Sequence, residues 1–166
     1  MKKLLWASLL LVGGVVQAEE PSARTITETF KDWQINCVER GGQKACEMKQ
    51  TLVNGNQQVV AVLSLAKQSK SGNVMQIVLP HLVDLTVPVE LSIDGEKATK
   101  LPYNFCNQTG CFVQIKNDTP FINKFKKGQS ASIKSLTLGG DSLDLNISLN
   151  GFSQAYKSLP VNNLLN

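Results

Sequence analysis

The sequence predicts a mainly β fold: a disulfide-stapled β-sandwich or partly open barrel with two short helices. Short apolar or alternating runs follow one another at close spacing, which is typical of sandwiches and barrels. Turn dipeptides that contain glycine separate several of these runs, namely Gly41-Gly42, Asn54-Gly55 and Asp94-Gly95. The four cysteines form two pairs that are local in sequence, as in chains that close short loops with disulfides.

The first hairpin is predicted over Trp33–Met48. Gly41-Gly42 is its turn, because two glycines tolerate the positive φ that a two-residue hairpin turn requires. With that turn, Cys37 faces Cys46 at a non-hydrogen-bonded pair, where the backbones are close enough for a cross-strand disulfide. The same register places one set of apolar side chains on a single face: Trp33, Ile35, Cys37, Cys46 and Met48.

Met1–Ala18 is typical of a secretory signal peptide. Lys2 and Lys3 precede the apolar run Leu4–Val16, and a small-x-small cleavage pattern ends at Ala18. The apolar run is shorter than the ~20 residues of a membrane span, which disfavours the alternative of a transmembrane anchor. We expect residues 19–29 to form a flexible lead-in and residues 30–166 to form a single domain.

The charge balance does not favour nucleic acid as a partner. Removal of Lys2 and Lys3 lowers the 17 basic residues to 15, against 13 acidic residues, a net charge of +2. Nucleic-acid binding requires a clear basic face. No later segment is long and apolar enough to cross a membrane. The mature chain is therefore predicted to be exported: periplasmic, associated with the outer membrane, or secreted.

The middle of the chain contains further strand signals. Asn54-Gly55 predicts a hairpin within Thr51–Val60, and apolar runs predict strands at Val59–Ala66 and Val74–Leu79, the latter ended by Pro80. Apolar and polar residues then alternate over Val83–Ile93, which predicts one half-buried strand. Its inward side chains would be Val83, Leu85, Val87, Val89, Leu91 and Ile93. Pro88 cannot donate to a sheet, so this strand is expected at an edge or a bend.

The last third of the chain predicts two more strands and both helices. Ser132–Leu138 leads through Gly139-Gly140-Asp141 into the alternating stretch Leu143–Leu149. Thr119-Pro120 indicates the start of a helix that ends at Gly128. A second helix is indicated by apolar residues at positions i, i+3, i+4 and i+7, and it ends before Pro160. These residues are Phe152, Ala155, Tyr156 and Leu159.

The cysteine spacing favours the local disulfides Cys37–Cys46 and Cys106–Cys111. The alternative is a four-cysteine zinc module, but zinc ligands are usually spaced C-x2–4-C, and the first pair is C-x8-C. An oxidising compartment also favours disulfides. The chain has no C-x-x-C motif that would indicate a redox enzyme. We therefore predict disulfides, with no metal and no cofactor.

His81 is the only histidine, so a secreted hydrolase or transferase of the Ser-His or Cys-His type would have to use it. No nucleophile turn of the G-x-S-x-G type accompanies it, so we predict no catalytic residues. A contact region is predicted instead at Tyr103–Cys111 with nearby lysines. The lysines either complement the dipole of the first helix or touch an anionic envelope or host surface. The binding residues predicted there are Tyr103, Asn107, Lys124, Lys126 and Lys127.

The ordered features resemble the invasion-associated locus B family of bacterial exported proteins. The residues that carry the resemblance are Trp33, Cys37, Cys46, Leu79-Pro80, Ile93-Asp94-Gly95, Pro102-Tyr103, Cys106, Gly110-Cys111, Gly151-Phe152 and Ala155. They extend over about Phe30 to Leu159. The resemblance implies a non-enzymatic envelope protein that is associated, in some pathogens, with entry into host cells, including red blood cells. Its partner would be an unknown protein or a ligand of the envelope or host surface.

Overall fold

A computed structural model describes residues 23–116 and 119–163. Within these ranges the chain forms strands and two helices that we number in chain order. They are β1 (Arg24–Phe30), β2 (Trp33–Arg40), β3 (Gln43–Val53), β4 (Val59–Gln68), β5 (Gly72–Leu79), β6 (Val89–Ile93), β7 (Thr99–Leu101), β8 (Phe105–Asn107), β9 (Gly110–Lys116), α1 (Thr119–Lys127), β10 (Ser130–Leu136), β11 (Ser142–Ser148), α2 (Phe152–Ser158) and β12 (Val161–Asn162).

Two sheets, neither closed into a barrel over the described residues, make up the sandwich. The larger sheet has the order β1-β2-β3-β4-β5-β9-β8, and its neighbouring strands are antiparallel. The two-residue strand β12 joins this sheet by pairing with β4 in parallel. The smaller sheet has the order β11-β10-β6-β7. The predicted mainly β class with two helices is confirmed, and of the two predicted architectures the sandwich is the one observed.

The first hairpin has the predicted register. Arg40 pairs with Gln43 and Cys37 pairs with Cys46, so the turn is Gly41-Gly42, with φ of 57° and 77°. Positive φ at both central positions matches the right-handed twist of the strands that the turn connects. The predicted inward side chains are all buried: Trp33, Ile35, Cys37, Cys46 and Met48. Turn chemistry and apolar pattern therefore specify the same pairing.

One apolar core lies between the two sheets. The larger sheet contributes buried side chains such as Leu63 and Ile77, and the smaller sheet contributes Leu91, Ile133 and Ile147. Both sheets therefore alternate inward apolar residues with outward residues, as face-to-face sheet packing requires.

Both predicted helices are confirmed, and they pack on the core through aromatic side chains. The rings of Trp33 and Phe152 meet edge to face at 5.0 Å between centroids, and Phe125 lies 5.3 Å from Phe152. The Nε1–H of Trp33 also donates to the carbonyl oxygen of Ser148, at 2.9 Å. The indole therefore buries its large apolar surface while its one polar group keeps a partner.

Most of the other predicted strands are also present. Val59–Ala66 and Val74–Leu79 lie within β4 and β5, and Pro80 follows directly after β5. The hairpin predicted at Asn54-Gly55 connects β3 and β4, although its connection spans residues 54–58. The two late strands are β10 and β11.

The single strand predicted over Val83–Ile93 is wrong over residues 85–88: Val83 is buried as predicted and bridges Thr137, but the strand β6 begins only at Val89. The carboxylate of Asp84 accepts hydrogen bonds from the amide and hydroxyl of Thr86, which bends the chain into a local turn. Leu85 and Val87, predicted to point inward, are 53% and 36% exposed. The amides of Thr86 and Val87 thus bond to Asp84 and not to a neighbouring strand, which interrupts the ladder that the alternating pattern predicts.

The flexible lead-in predicted for residues 19–29 is wrong from Arg24 onward. Those residues form β1, which pairs with β2 along its whole length: Arg24 is opposite Glu39 at one end, and Phe30 is opposite Trp33 at the other. Ile26 and Phe30 pack against the core from this strand, so polar composition did not prevent ordering. The signal peptide predicted at Met1–Ala18 lies outside the described residues. Within them, neither helix has the length and apolar character that crossing a membrane requires.

Candidate functional site

All four cysteines form disulfides. Cys37–Cys46 joins β2 to β3 and Cys106–Cys111 joins β8 to β9, with S–S distances of 2.11 and 2.12 Å. In both pairs the Cα atoms are 4.0 Å apart. The predicted local pairing is confirmed. Because every cysteine sulfur is bonded to a second cysteine sulfur, the alternative of a four-cysteine zinc module is wrong.

His81 has a structural contact. Its Nε2 atom donates to the carbonyl oxygen of Asn107 at 2.6 Å, and the side chain of Asn107 accepts the amide of Thr109 at 2.8 Å. These bonds fasten the loop after β5 to the turn of the β8–β9 hairpin. No hydroxyl or carboxylate hydrogen-bonds to the imidazole within residues 23–116 and 119–163, so the geometry of a Ser-His-Asp site is absent there.

Tyr103 connects the predicted contact region to the smaller sheet. Its hydroxyl shares a hydrogen bond of 2.7 Å with the hydroxyl of Ser135 on β10. Burial raises the pKa of the Tyr103 phenol, and the Ser135 bond lowers it by a smaller amount. The phenol therefore remains neutral at physiological pH and serves as a link between the β7–β8 connection and β10.

The three predicted lysines lie on α1 and have different surroundings. Lys124 forms an ion pair of 2.7 Å with Glu96, and Lys126 lies 3.9 Å from the ring centre of Tyr156. Lys127 is exposed to solvent. Among the contacts described for this chain, none joins these lysines to Tyr103 or Asn107, so the five predicted binding residues form two separate groups.

Lys67 is a charged residue that sequence reasoning missed. Its ammonium donates to the carbonyl oxygens of Tyr156 and Leu159, at 2.7 and 3.0 Å, and lies 4.3 Å from the Tyr156 ring centre. These carbonyls end α2, where a cation is favourable. Burial, and then the neighbouring Lys126, lowers the pKa of Lys67. The cluster stabilises the end of a helix.

Two buried carboxamides were also missed. Gln50 donates to the carbonyl oxygens of Asp32 and Ser148 and accepts the amide of Ser148, each at 3.0 Å. It therefore fastens β3 to the end of β11 in the other sheet. Asn162 accepts the amide of Cys46 at 2.7 Å and donates to its carbonyl oxygen at 2.9 Å. Its side chain thus satisfies backbone groups that would otherwise be unpaired.

A pocket of about 500 Å³ opens on the solvent-facing side of the larger sheet, and we call it the outer-sheet pocket. It spans five strands, β1 to β5, with β12 at its edge. Four apolar side chains line it: Val38, Ala45, Ala66 and Val74. Neutral polar side chains also line it: Thr25, Asn36, Ser64, Gln68, Gln76 and Asn162. Its volume falls in the range of small-molecule sites.

The pocket lies where two strands separate. The β3–β4 ladder stops at Met48 and Leu65, and beyond this point Lys67 and Gln68 pair with β12 instead. Asn162 of β12 bridges the separation through Cys46. Sequence reasoning could not find this arrangement, because it depends on a contact between residues 116 positions apart.

Comparison with known proteins identifies relatives over most of the chain. "Invasion protein B" of Bartonella bacilliformis is 29% identical over 142 residues, which cover 82% of this chain and 76% of the relative. An "Invasion protein B homolog" of Brucella abortus is 26% identical over 137 residues, which cover 80% and 78% of the two chains.

A solved structure has the same fold. The crystal structure of invasion associated protein B from Bartonella henselae superposes with a TM-score of 0.69 at 29% identity, covering 80% of this chain and 92% of that one. The sequence profile of the invasion associated locus B (IalB) protein family matches residues 33–160. This match extends from Trp33, at the start of β2, to Pro160, after α2. The resemblance seen in the sequence is confirmed, and the chain belongs to the invasion associated locus B family.

Proposed function

We propose that this protein is an exported bacterial envelope protein that acts by binding, with host-cell invasion or envelope maintenance as its biological role. The observation that carries the proposal is the pair of short-range disulfides, combined with membership of a family whose relatives are named invasion protein B. The proposed partner is a protein or another ligand of the envelope or of the host surface.

The disulfides support export. Structural disulfides form and persist in oxidising compartments such as the bacterial periplasm and the cell surface, and they are rare in the cytosol. The Cys37–Cys46 bond is buried between β2 and β3 in the core, as expected of a structural rather than a catalytic bond. Together with the leader predicted at Met1–Ala18, this favours a periplasmic, outer-membrane-associated or secreted protein.

The described contacts favour binding over catalysis. The imidazole of His81 is bonded to a backbone carbonyl, and the phenol of Tyr103 is bonded to Ser135. Each of these reactive groups has a structural partner instead of a second catalytic group, whereas an activated nucleophile needs an adjacent base. The alternative of a hydrolase that uses His81 therefore receives no support from the geometry.

The contact surface that we propose has two separate parts, the β8–β9 hairpin and the exposed lysines of α1. Phe105 of this hairpin is 44% exposed and stacks on Phe112, with 4.6 Å between ring centres. Exposed aromatic side chains and a polar rim are typical of protein interfaces. The side chains of Asn107 and Lys127 are exposed and can meet a partner, whereas Tyr103 positions the hairpin.

The export and role are tested in the source bacterium. We expect the protein in envelope or secreted fractions, with both disulfides intact when peptides are mapped without reduction. A strain without the gene is expected to enter host cells less efficiently or to lose envelope integrity, and the intact gene should restore the lost property. A gene that carries His81→Ala should restore this property equally well. Four free thiols, or no rescue by His81→Ala when the variant protein is stably present, would contradict the proposal.

The contact surface is tested by capture of partners from envelope and host-membrane extracts. We expect Lys127→Glu and Asn107→Ala to reduce the recovery of partners. Lys157→Glu is the matched control, because Lys157 is an exposed lysine on the other helix. Equal recovery with all three variants would place the contact surface elsewhere on the molecule.

A further inference from the structure

We propose that β1 is a surface for self-association, on which a second copy of this chain pairs its own β1 antiparallel about a two-fold axis at Ile26. The pairing joins the larger sheets of the two copies into one. This surface is separate from the β8–β9 hairpin and from the lysines of α1, so the inference goes beyond the binding role proposed above. Three observations carry it: an open strand edge, the direction of its backbone groups, and the charges on either side of Ile26.

β1 is an edge strand with no neighbouring strand on its far side within residues 23–116 and 119–163. It ends the strand order of the larger sheet and pairs with β2 without a bulge from Arg24 to Phe30. It contains neither proline nor lysine, the residues that commonly protect an edge. A regular edge of this kind is a template for a further strand. The exposed side chains lie on both faces of the strand: Arg24, Thr25, Thr27, Glu28 and Thr29.

The other edges of the two sheets are less suited to pairing. β7 and β8 have three residues each. β11 has seven residues, but its end is covered, because the backbone of Ser148 bonds to the side chains of Gln50 and Trp33 in the larger sheet. Its one charged side chain, Asp144, already pairs with Lys134. Among the described strands, β1 is thus the open edge of useful length.

The pair Cys37–Cys46 shows which backbone groups of β1 face the open edge. The amide and carbonyl of Cys46 bond to the side chain of Asn162, so Cys37 and Cys46 form a pair without backbone hydrogen bonds between them. The backbone groups of Cys37 therefore point to its other neighbour, Ile26 of β1. Directions alternate along a strand, so Ile26 uses its N–H and C=O on β2. The backbone groups of Thr25 and Thr27 point away from β2, to the open edge.

A two-fold axis at Ile26 uses these outward groups. It places Ile26 opposite its own counterpart at a pair without hydrogen bonds, and it places Thr25 opposite Thr27 of the second copy. Thr25 and Thr27 then form hydrogen-bonded pairs, each of which exchanges both N–H···O bonds. Ile26 is half-buried at the margin of the core, and its counterpart would cover the exposed part. The interface is isologous, so every contact is made twice.

The charges select a second copy as the partner and Ile26 as the centre. Arg24 and Glu28 lie on the same face of β1, one on each side of Ile26, and neither has an ion-pair partner among the described residues. The axis at Ile26 places Arg24 opposite Glu28 of the second copy, and the reverse, which stabilises an antiparallel pair. An axis at Thr27 would instead place Arg24 opposite Phe30. An axis at Glu28 would place two carboxylates opposite each other, which is destabilising.

The test is sedimentation velocity of the full chain, with both disulfides intact, from micromolar to millimolar concentration. A strand edge buries less than the ~1,200 Å² of a stable interface, so we expect a weak and reversible equilibrium between monomer and dimer. A monomer at every concentration would overturn the proposal and would leave the edge to a strand of another protein.

Charge variants test the register. Arg24→Glu places like charges opposite each other at both ion pairs, and so does Glu28→Arg. Each variant alone is expected to lower the association constant about tenfold. An equimolar mixture of the two variants should associate as strongly as the original protein, because each variant carries the charges that the other one needs.

Lys70→Glu is the control for the change of net charge, because Lys70 is exposed in the turn between β4 and β5. It should leave the association constant unchanged. Single variants of Arg24 and Glu28 that associate as well as the original protein, or a mixture that does not recover, would overturn the pairing about Ile26.

Thr25→Pro tests the backbone bonds. Proline removes an N–H that points to the open edge and that β2 does not use, so the variant should keep its fold and lose the dimer. Thr25→Val is the matched control, because valine keeps the N–H and the branched side chain, and it should associate normally. Circular dichroism and urea midpoints establish that both variants are folded. Undiminished association of folded Thr25→Pro would contradict the proposal, and if this variant does not fold, the mixture of charge variants decides.

Discussion

The carboxamides of Gln50 and Asn162 each bind backbone groups of strands other than their own. Gln50 is 7% exposed and Asn162 is 4% exposed, although both residue types are usually found on the surface. Each amide has donors and an acceptor, so it can replace a missing backbone partner in both directions. Their burial is explained by the backbone groups they pair with: Gln50 connects the two sheets, and Asn162 connects β12 to β3 within the larger sheet.

Gly151 is expected to tolerate no side chain. Its φ is 91°, and a Cβ there would collide with the carbonyl oxygen of Phe30. Gly151→Ala should therefore lower the free energy of unfolding by about 2–3 kcal/mol. Gly139→Ala is the control, because a Cβ at Gly139 would make only ordinary contacts of 3.7 Å. Urea unfolding measures both, and equal stability of the two variants would contradict the collision.

Asp94 is expected to make the stability dependent on pH in acid. Its carboxylate accepts the amides of Ser130 and Gln129, at 2.8 and 2.9 Å, and these bonds lower the pKa of Asp94. Because the folded pKa is below the unfolded one, the stabilisation is complete above the unfolded pKa of about 3.9. It is lost as the pH falls through the folded pKa, since the unfolded state then binds more protons.

Asp94→Asn should therefore weaken the dependence of unfolding on pH below about pH 4, and urea midpoints measured between acid and neutral pH check this. Asn is compatible with the positive φ of 48° at this position. Part of the acid sensitivity should remain, because hydrogen bonds from Thr86 also lower the pKa of Asp84. An unchanged pH profile in Asp94→Asn would show that the two amide bonds do not favour the charged carboxylate.

At the scale of elements, the sequence predicted those strands whose turn, pairing and apolar pattern agree. The hairpin of β2 and β3 is such a case, since Gly41-Gly42 sets the register that also buries Trp33 and Met48. Val83–Ile93 has the same alternation, but Asp84 and Pro88 remove residues 85–88 from the sheet. Strand periodicity alone could not distinguish the two cases, because it contains no information about competing side-chain bonds.

Removal of the Cys37–Cys46 bond, by the double change Cys37→Ala with Cys46→Ala, should lower the free energy of unfolding by about 2–3 kcal/mol. The reason is that the bond restricts the unfolded chain. The Cys106–Cys111 bond closes a shorter loop, with a sequence separation of 5 against 9. The double change Cys106→Ala with Cys111→Ala should therefore lower the free energy of unfolding slightly less. Denaturant unfolding with and without reductant checks both. If the double variants were as stable as the original protein, and if reductant did not destabilise the original protein, the bonds would not be structural.

At the scale of the whole molecule, position relative to the core decides the cost of losing a side chain. Ile133 is fully buried between the sheets, so Ile133→Ala should cost about 2–5 kcal/mol. Leu138 is 71% exposed, and Leu138→Ala should change the stability by no more than about 0.5 kcal/mol. Thermal unfolding of the two variants checks the contrast, and a large loss in Leu138→Ala would show that this leucine is buried in an assembly.

The mainly β class, both helices and both disulfides were predictable, because each leaves a local pattern in the sequence. The order of strands in the two sheets was not, since it depends on which apolar faces meet. The outer-sheet pocket was missed for the same reason. It needs Ala45 and Ala66 on neighbouring strands and Asn162 between them, and a strand of two residues has no periodicity to detect.

The pairing of β12 has a consequence for the timing of folding. Synthesis runs from the amino end, so Cys37 and Cys46 are in the chain long before Val161 and Asn162 are joined to it. Until then the amide and carbonyl of Cys46 have no partner from that strand, and the seam beside β4 stays open to water. Residues late in the chain thus complete the middle of a sheet that earlier residues form.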